Sequence, residues 1–184
     1  MKILIIGGTG LISTAISRQL LEAGHELTLY NRGETTPRLR QGYTVIKGDR
    51  KETETFEAQM AELEGFDCVI DMICFTPKQA ESDIRAFSGR VNQLIFCSTV
   101  DVYTKPPATY PVKESHERQA LSDYGRDKAK CEDLFMAAHE TGHFNATIIR
   151  PASTYGEGGS IIHTFSWETY FLDRLLKGKP VIVH

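Results

Sequence analysis

The sequence predicts an α/β protein with a doubly wound parallel sheet, Rossmann-like in architecture. Apolar, β-rich runs alternate with segments of helical periodicity along the chain, which is the pattern of repeated β-α units. The apolar runs are nearly continuous in Val, Ile and Leu, as expected for strands that are covered on both faces. A glycine-rich turn at residues 7–13, GGTGLIS, directly follows the first of these runs.

Six strands and four helices are predicted in order. The strands are expected at residues 2–6, 26–30, 43–48, 67–73, 93–98 and 145–150, and the helices near 11–23, 52–64, 77–87 and 122–141. Gly24 suits a left-handed cap after the first helix, and Thr76 followed by Pro77 offers an N-cap and a first-turn proline. Ser122 is expected to begin the fourth helix. The polar segment 104–121 is predicted to be an ordered surface loop.

The composition indicates one globular unit without a polyanion-binding surface. The 184 residues are 41% hydrophobic, and 21 Lys and Arg stand against 24 Asp and Glu, for a formal net charge of -3. No block of five like charges occurs, which argues against nucleic acid as a partner. No apolar run has the length of a signal-peptide core or a membrane span, so we expect a cytoplasmic protein without a membrane partner.

The cysteines and a histidine pair favour neither a disulfide nor a bound metal. His139 and His143 are four residues apart, but Gly142 marks a helix end between them and no third ligand is near, so we expect two imidazoles near a helix C-terminus. Buried reduced thiols are expected for the cysteines because none has C-x-x-C spacing. The four cysteines are Cys68, Cys74, Cys97 and Cys131.

The glycine turn has the composition and the position of a nucleotide-binding turn. Backbone N–H groups and a helix N-terminus meet there, an arrangement that binds a pyrophosphate. Gly8, Gly10 and Ser13 fit the G-x-G-x-x-G/A fingerprint with its third residue changed, and Gly7 with Gly10 fits a second spacing, G-x-x-G. The alternative is a tight turn that binds nothing. The residues expected to bind a dinucleotide here are Gly7, Gly10, Leu11 and Ile12.

The ends of the second and third predicted strands bear on the choice of cofactor. A carboxylate after the second strand would bind the adenosine ribose, and an arginine would accommodate a 2′-phosphate. Asn31 stands at that place and Arg32 follows, which favours NADP over NAD; the alternative is that Arg32 is a solvated loop residue. Asp49 follows the third strand and is placed either to reach the adenine or to cap the helix behind it.

Tyr124 and Lys128 lie four residues apart near the start of a helix, so both point from one face. A free phenol has a pKa of about 10, and a lysine ammonium nearby favours the phenolate, which brings that pKa into a range useful for general acid–base catalysis. Ser98 and Thr99 follow a strand expected to end at the same edge of the sheet. They supply hydroxyls for a substrate oxygen, or else satisfy backbone groups in their own turn.

Taken together, the motifs resemble the extended short-chain dehydrogenase/reductases, the NAD-dependent epimerases and dehydratases that act on nucleotide sugars. From Met1 to His184 they arrive in the family's order: GGTGLIS, YNRG, GDR, FDCVIDM, FCSTVDVY, PVKES, YGRDK and IIRPASTYGEG. The resemblance implies that Thr99 orients the substrate hydroxyl, that Tyr124 is the general acid/base, and that Lys128 binds the nicotinamide ribose and tunes the tyrosine.

The same resemblance implies NAD or NADP as cofactor, a nucleotide sugar or related sugar as substrate, and a homodimer formed through the helix that carries Tyr124. It leaves epimerisation, dehydration and reduction open. Glu114 matches a recurrent acidic position whose role is left open. Besides the glycine turn, Asn31, Arg32 and Asp49, the cofactor-binding residues that it implies are Ser98, Tyr124, Lys128, Pro151, Ala152 and Ser153.

Three departures from the family pattern bear on function. Ser13 replaces the usual last glycine, which alters a helix contact and leaves the phosphate contact in place. The Asn-Arg-Gly sequence at 31–33 is similar to the branch with chloroplast stem-loop RNA-binding proteins, so a non-catalytic, dinucleotide-bound regulatory or RNA-binding protein is the alternative to an enzyme. Family members usually continue past LLKGKPVIVH, so we expect residues 1–155 to form the dinucleotide-binding domain and 156–184 to begin a C-terminal substrate region that is largely absent.

Overall fold

Six parallel strands form one sheet in the described part of the chain. The structure is a computed structural model that describes residues 1–156 and 170–180. The chain divides into two compact units, Met1–Pro151 and Ala152–His184. In chain order the elements are β1 (Lys2–Ile6), α1 (Leu11–Glu22), β2 (Glu26–Asn31), β3 (Tyr43–Lys47), α2 (Thr53–Ala61), β4 (Cys68–Asp71), α3 (Pro77–Phe87), β5 (Gln93–Cys97), a 3₁₀ helix (Val100–Val102), α4 (Asp123–Glu140), β6 (Asn145–Ile149) and α5 (Tyr170–Leu176).

The strand order is β3-β2-β1-β4-β5-β6, with every neighbouring pair parallel. This order confirms the predicted fold class, a doubly wound Rossmann-like sheet. The chain moves outward in one direction from β1 and then in the other from β4, which leaves a crevice beyond the carboxyl ends of these two strands. Ligands of open α/β sheets bind at such a crevice, and the glycine turn lies at its edge.

Strand β1 is buried on both faces, as its continuous apolar sequence predicts. Leu4 and Ile6 pack in a cluster with side chains of α2, α3 and α4, whereas Ile3 and Ile5 pack in a second cluster with side chains of α1. Successive residues of a strand point to opposite faces, so these helices divide between the two sides of the sheet. The glycine turn is therefore anchored to the centre of the core.

The helix ends follow the signals in the sequence. Gly24 has φ +79° directly after α1. Thr76 is the N-cap of α3 and shares a reciprocal capping box with Gln79. Ser122 caps α4 and accepts the N–H of Gly125 on its Oγ at 3.0 Å. The four cysteines are free thiols, three of them buried. Neither the 3₁₀ helix nor α5 was predicted.

A buried charged cluster lies behind the carboxyl end of β4. Arg50 donates from Nη2 to Asp83 Oδ1 at 2.7 Å and from Nε to Asp71 Oδ2 at 3.5 Å. Burial, with the charge of Asp71, raises the pKa of Asp83 well above its usual range, and the two carboxylates share one guanidinium. Ligand-type atoms of Asp71, Cys74 and Asp83 lie within 4.8 Å of one another. Arg50 already supplies the positive charge there, which makes the cluster a structural ion pair.

Two predictions concern parts of the chain beyond the sheet. Of the predicted C-terminal region 156–184, residues 157–169 and 181–184 lie outside the described residues, and the division at 155 stays a prediction. Among the helices of the described residues, none combines the length and the apolar character that crossing a bilayer requires.

Candidate cofactor site and active site

The glycine turn is held tightly against the strands. Gly7 has φ +87°, and a Cβ at this position would lie 2.6 Å from Cγ2 of Ile73. A Cβ on Gly8 would lie 2.6 Å from Cδ2 of Leu29. A side chain at either position would therefore displace a neighbour, and at Gly7 it would also be strained. These two glycines let the backbone enter the crevice directly before α1 begins.

Ser13 stabilises the turn through a hydrogen bond and not only through its small size. Its buried Oγ accepts the N–H of Gly10, the N-cap of α1, at 2.9 Å. Thr14 donates to the carbonyl of Gly10 from its N at 3.0 Å and from its Oγ1 at 2.7 Å. The amides of Leu11 and Ile12 are in the first turn of α1 and have no helical carbonyl one turn earlier. They are the donors that this turn can offer to an anion.

Asn31 ties the glycine turn to the end of β2. The side chain is 8% exposed, and its Oδ1 accepts the N–H of Gly8 at 2.8 Å. Within residues 1–156 and 170–180, its Nδ2 has no hydrogen-bond partner. An unpaired buried donor is costly, so a polar ligand atom in the crevice would stabilise this position. The amide oxygen of Asn31 thus holds the glycine turn, and its role in cofactor binding stays a prediction.

The other two residues predicted near the adenosine have partners in their own segments. Arg32 Nη2 pairs with Glu34 Oε2 at 3.0 Å, and both side chains are more than half exposed. Asp49 Oδ1 accepts the N–H of Lys51 at 2.9 Å. Because Glu52 is the N-cap of α2, Asp49 shapes the turn before that helix and does not cap it.

Lys128 is buried and joins the ends of two neighbouring strands. It is 1% exposed, and its Nζ donates to the carbonyl of Cys74 at 2.9 Å and to that of Cys97 at 2.6 Å. The rings of Phe96 and Phe75 lie 4.6 and 5.0 Å from Nζ, close enough for cation–π attraction. Burial lowers the pKa of Lys128. An ammonium has three N–H donors, so these two carbonyls leave one donor for a further acceptor.

Tyr124 lies one turn before Lys128 and is 45% exposed. Its ring centroid is 5.9 Å from Lys128 Nζ. Burial raises the pKa of Tyr124, and a hydrogen bond with the Thr99 hydroxyl offsets only part of that rise. Burial therefore outweighs the lowering of the phenol pKa in this structure, and the expected effect of Lys128 on that pKa stays a prediction.

Ser98 and Thr99 differ in what their hydroxyls do. Thr99 Oγ1 accepts the N–H of Asp101 at 3.1 Å, which caps the 3₁₀ helix, and it also meets Tyr124. Ser98 is buried, and its Oγ donates to Oε1 of Glu132 at 2.5 Å. The structure therefore brings Thr99, Tyr124 and Lys128 together, while the Ser98 hydroxyl is directed to a carboxylate of the protein.

Gly125 was not among the predicted site residues, yet it controls how closely Tyr124 approaches Thr99. A Cβ on Gly125 would lie 2.5 Å from the carbonyl oxygen of Asp101. Ser122 Oγ, one turn earlier, donates to Asp101 Oδ2 at 2.5 Å. The start of α4 thus packs directly on the segment after β5. A glycine in a helix lowers the stability of that helix. Its presence in the first turn of α4 is therefore a signal in the sequence that close packing excludes a side chain at this position.

The residues after β6 are placed as follows. The carbonyl of Pro151 accepts the N–H of Val100 at 3.1 Å, which ties the end of β6 to the 3₁₀ helix. Ala152 and Ser153 belong to the second unit and are exposed, and their role remains a prediction. The backbone carbonyl of Glu114 accepts from Arg150 Nη1 at 3.2 Å, so this residue fastens the loop 104–121.

The fold and the site define a Rossmann-like dinucleotide-binding protein with a threonine, a tyrosine and a lysine gathered at the carboxyl edge of the sheet. The sequence matches the NAD(P)H-binding family over residues 7–165. The chain belongs to that family. Solved structures of epimerases and dehydratases share this fold, as the resemblance to the extended short-chain dehydrogenase/reductases predicts.

Two relatives in sequence and one solved structure with the same fold are similar to this chain. A 2′-dehydrokanamycin reductase of Streptomyces kanamyceticus is 27% identical over 100% of this chain and 51% of its own length. The chloroplast stem-loop binding protein of 41 kDa b of Arabidopsis thaliana is 30% identical over 99% of this chain and 48% of its own. A dTDP-glucose 4,6-dehydratase of Bacillus anthracis, solved with NAD, superposes with a TM-score of 0.76 at 17% identity, over 97% of this chain and 62% of its own. This chain spans about half the length of the two relatives.

A pair of buried serines on α1 tests the role of the Ser13 hydroxyl. Replacing Ser13 by Ala removes the acceptor of the Gly10 N–H, so we expect the free energy of unfolding to fall by about 1 kcal/mol. The matched control is Ser17→Ala. Ser17 is also buried, and its Oγ has no hydrogen-bond partner among the described residues, so its loss should be neutral or stabilising. Urea unfolding measures both; equal effects of the two variants would contradict the assigned role.

Proposed function

We propose that this chain carries the cofactor site and the catalytic residues of an NAD(P)-dependent epimerase, dehydratase or reductase that acts on a nucleotide sugar or a related sugar. The observation that supports it most is the meeting of Thr99, Tyr124 and Lys128 beside the crevice that the glycine turn borders. The similarity to a reductase adds support for redox chemistry. A merely structural turn would not need this set of groups.

The residues at the crevice fit a dinucleotide. The amides of Leu11 and Ile12 would bind its phosphates at the N-terminus of α1. Asn31 would offer its unpaired Nδ2 to the adenosine, and Lys128 would offer its remaining N–H to the nicotinamide ribose. When bound, the nicotinamide supplies or accepts a hydride.

The protein's own part in the reaction is to move a proton at the substrate oxygen. When a carbonyl is reduced, Tyr124 donates its phenol proton to the carbonyl oxygen and becomes a phenolate. The buried ammonium of Lys128, 5.9 Å from the ring, stabilises that phenolate. The hydroxyl of Thr99, which already meets the phenol, orients the same oxygen. In the oxidative direction each proton step runs in reverse.

The chemistry of the site favours an enzyme over the RNA-binding alternative. The net charge of -3 and the absence of basic blocks from the sequence give little attraction for a phosphate backbone. The similarity to a stem-loop binding protein extends over 99% of this chain and is not confined to one segment. We further propose a cytoplasmic homodimer that forms through α4; the free thiols are in keeping with a reducing compartment.

The cofactor preference is tested through Arg32. If its guanidinium binds a 2′-phosphate, NADP raises the thermal midpoint more than NAD does, and Arg32→Ala weakens NADP binding about tenfold or more. Arg85 is the matched control because it is also an exposed arginine paired with a glutamate, Glu57, on the surface. Arg85→Ala should leave the preference unchanged. Equal stabilisation of the parent chain by NAD and NADP would remove the phosphate role from Arg32.

The catalytic assignment is tested with Tyr124→Phe. We expect conversion of a nucleotide sugar, followed by chromatographic separation of substrate and product, to fall roughly 10²–10⁴-fold, because the proton donor is lost. NADPH affinity should stay within about twofold, since the phenol is not needed to hold the phosphates. Reduction requires the protonated phenol, and burial raises the pKa of Tyr124. The reductive rate should therefore hold through neutral pH and fall as pH rises through that pKa; unchanged turnover by the variant would refute the assignment.

A further inference from the structure

Glu132 lies fully buried one turn after Lys128, on the same face of α4. Its carboxylate receives four hydrogen bonds from three side chains. Oε1 accepts from Ser98 Oγ at 2.5 Å and from Arg150 Nε at 2.8 Å. Oε2 accepts from Arg150 Nη2 at 2.7 Å and from Arg118 Nη1 at 2.8 Å. Both oxygens are thus fully used by groups from three different parts of the chain.

The carboxylate is ionised where it lies. Burial by itself would raise the pKa of Glu132, but hydrogen bonds from Arg150, Ser98 and Arg118 together lower it. Buried ion pairs are a poor source of stability compared with apolar packing of the same volume. Their better-attested use is to fix one arrangement of the chain, so the question is which arrangement Glu132 fixes.

Glu132 lies beside the end of the strand that leads to Thr99. Lys128 binds the carbonyl of Cys97, and Glu132 binds the hydroxyl of the next residue, Ser98. The following residue is Thr99, which meets the Tyr124 phenol. One face of α4 therefore binds Cys97 and Ser98, the two residues directly before Thr99. Tyr124, from the first turn of the same helix, contacts Thr99 itself.

The other partner of Glu132 extends this hold to the end of β6. Arg150 donates from Nη1 to the phenol oxygen of Tyr103 at 2.7 Å, beyond its two bonds to the carboxylate. Its neighbour Pro151 accepts the N–H of Val100, the residue that follows Thr99. Thr99 is thus flanked by Ser98, which binds Glu132 directly, and by Val100, which binds the neighbour of Arg150.

We propose that Glu132 is a positioning residue of this site: through Ser98 on one side and Arg150 on the other, its carboxylate holds Thr99 in contact with Tyr124. Its importance for catalysis rests on the proposed function. The contact itself does not, and it is measured without turnover. Arg118 also binds Glu132, but its second partner is Asp133 on the surface, so it stabilises the carboxylate without reaching Thr99.

The test measures the pKa of Tyr124 in the full chain by NMR of ¹³C-labelled tyrosine, with Tyr124→Phe assigning the signal. Thr99→Val removes the hydroxyl that lowers this pKa and sets the size of a complete loss. An amide at residue 132 has one acceptor oxygen for four donors, so Glu132→Gln should raise the pKa of Tyr124 toward the Thr99→Val value. Arg118→Gln is the matched control: it removes an ion pair to the same carboxylate and should lower stability while leaving the pKa of Tyr124 unchanged.

A folded Glu132→Gln variant with the parent's Tyr124 pKa would overturn the proposal, and so would an equal shift in Arg118→Gln. If Glu132→Gln does not fold, Ser98→Ala takes its place, because it removes only the hydrogen bond that links Glu132 to the residue before Thr99. A raised pKa of Tyr124 in Ser98→Ala supports the proposal, and an unchanged pKa overturns it. In a turnover assay Glu132→Gln should lower kcat and leave the KM for NADPH unchanged. A parent chain that turns over no nucleotide sugar would count against the proposed function alone, because the pKa comparison still stands.

Discussion

The packing of α4 on the end of β5 is the contact on which the site depends. Lys128 takes a charge into the core, where it is tolerated because two carbonyls and two aromatic rings replace water around the ammonium. Those carbonyls belong to the segment after β4 and to the end of β5, so the same bonds that satisfy the charge also join these two parts of the chain. Gly125 removes the side chain that would hold the helix away. The position of the candidate catalytic groups Thr99, Tyr124 and Lys128 thus follows from the way in which a buried charge is satisfied.

The two sides of the crevice differ in whether backbone or side chains would face a ligand. On the side of β1 the backbone itself must be exposed to a ligand, which requires glycine at 7 and 8 and uses the side chains of Ser13 and Asn31 to hold the turn rigid. On the side of β5 side chains must be presented, which requires a helix face with fixed spacing. A rigid turn and a rigid helix face lower the ordering cost that a ligand would otherwise meet on binding.

The sequence was sufficient for the sheet and the first four helices, because strand runs and caps are local signals. It placed Thr99 only at the same edge of the sheet as Tyr124 and Lys128, through the order of the strands and the family resemblance. It was not sufficient for the partners of those groups. The hydrogen bond between Asn31 and Gly8 depends on which strands become neighbours. The hydrogen bond between Ser98 and Glu132 depends on how closely α4 packs. Burial raises the pKa of Tyr124, and the burial of this phenol follows from tertiary packing that the sequence does not show.

Amide hydrogen–deuterium exchange with and without NADPH tests the central claim, that the glycine turn and the end of β5 border one dinucleotide site. The amides of Leu11 and Ile12 have no helical acceptor, so a bound phosphate should slow their exchange strongly. We expect slowing in peptides that cover residues 7–14 and 97–100, and none in α2. Unchanged exchange at the glycine turn in saturating NADPH, or slowing confined to other parts of the chain, would contradict the account.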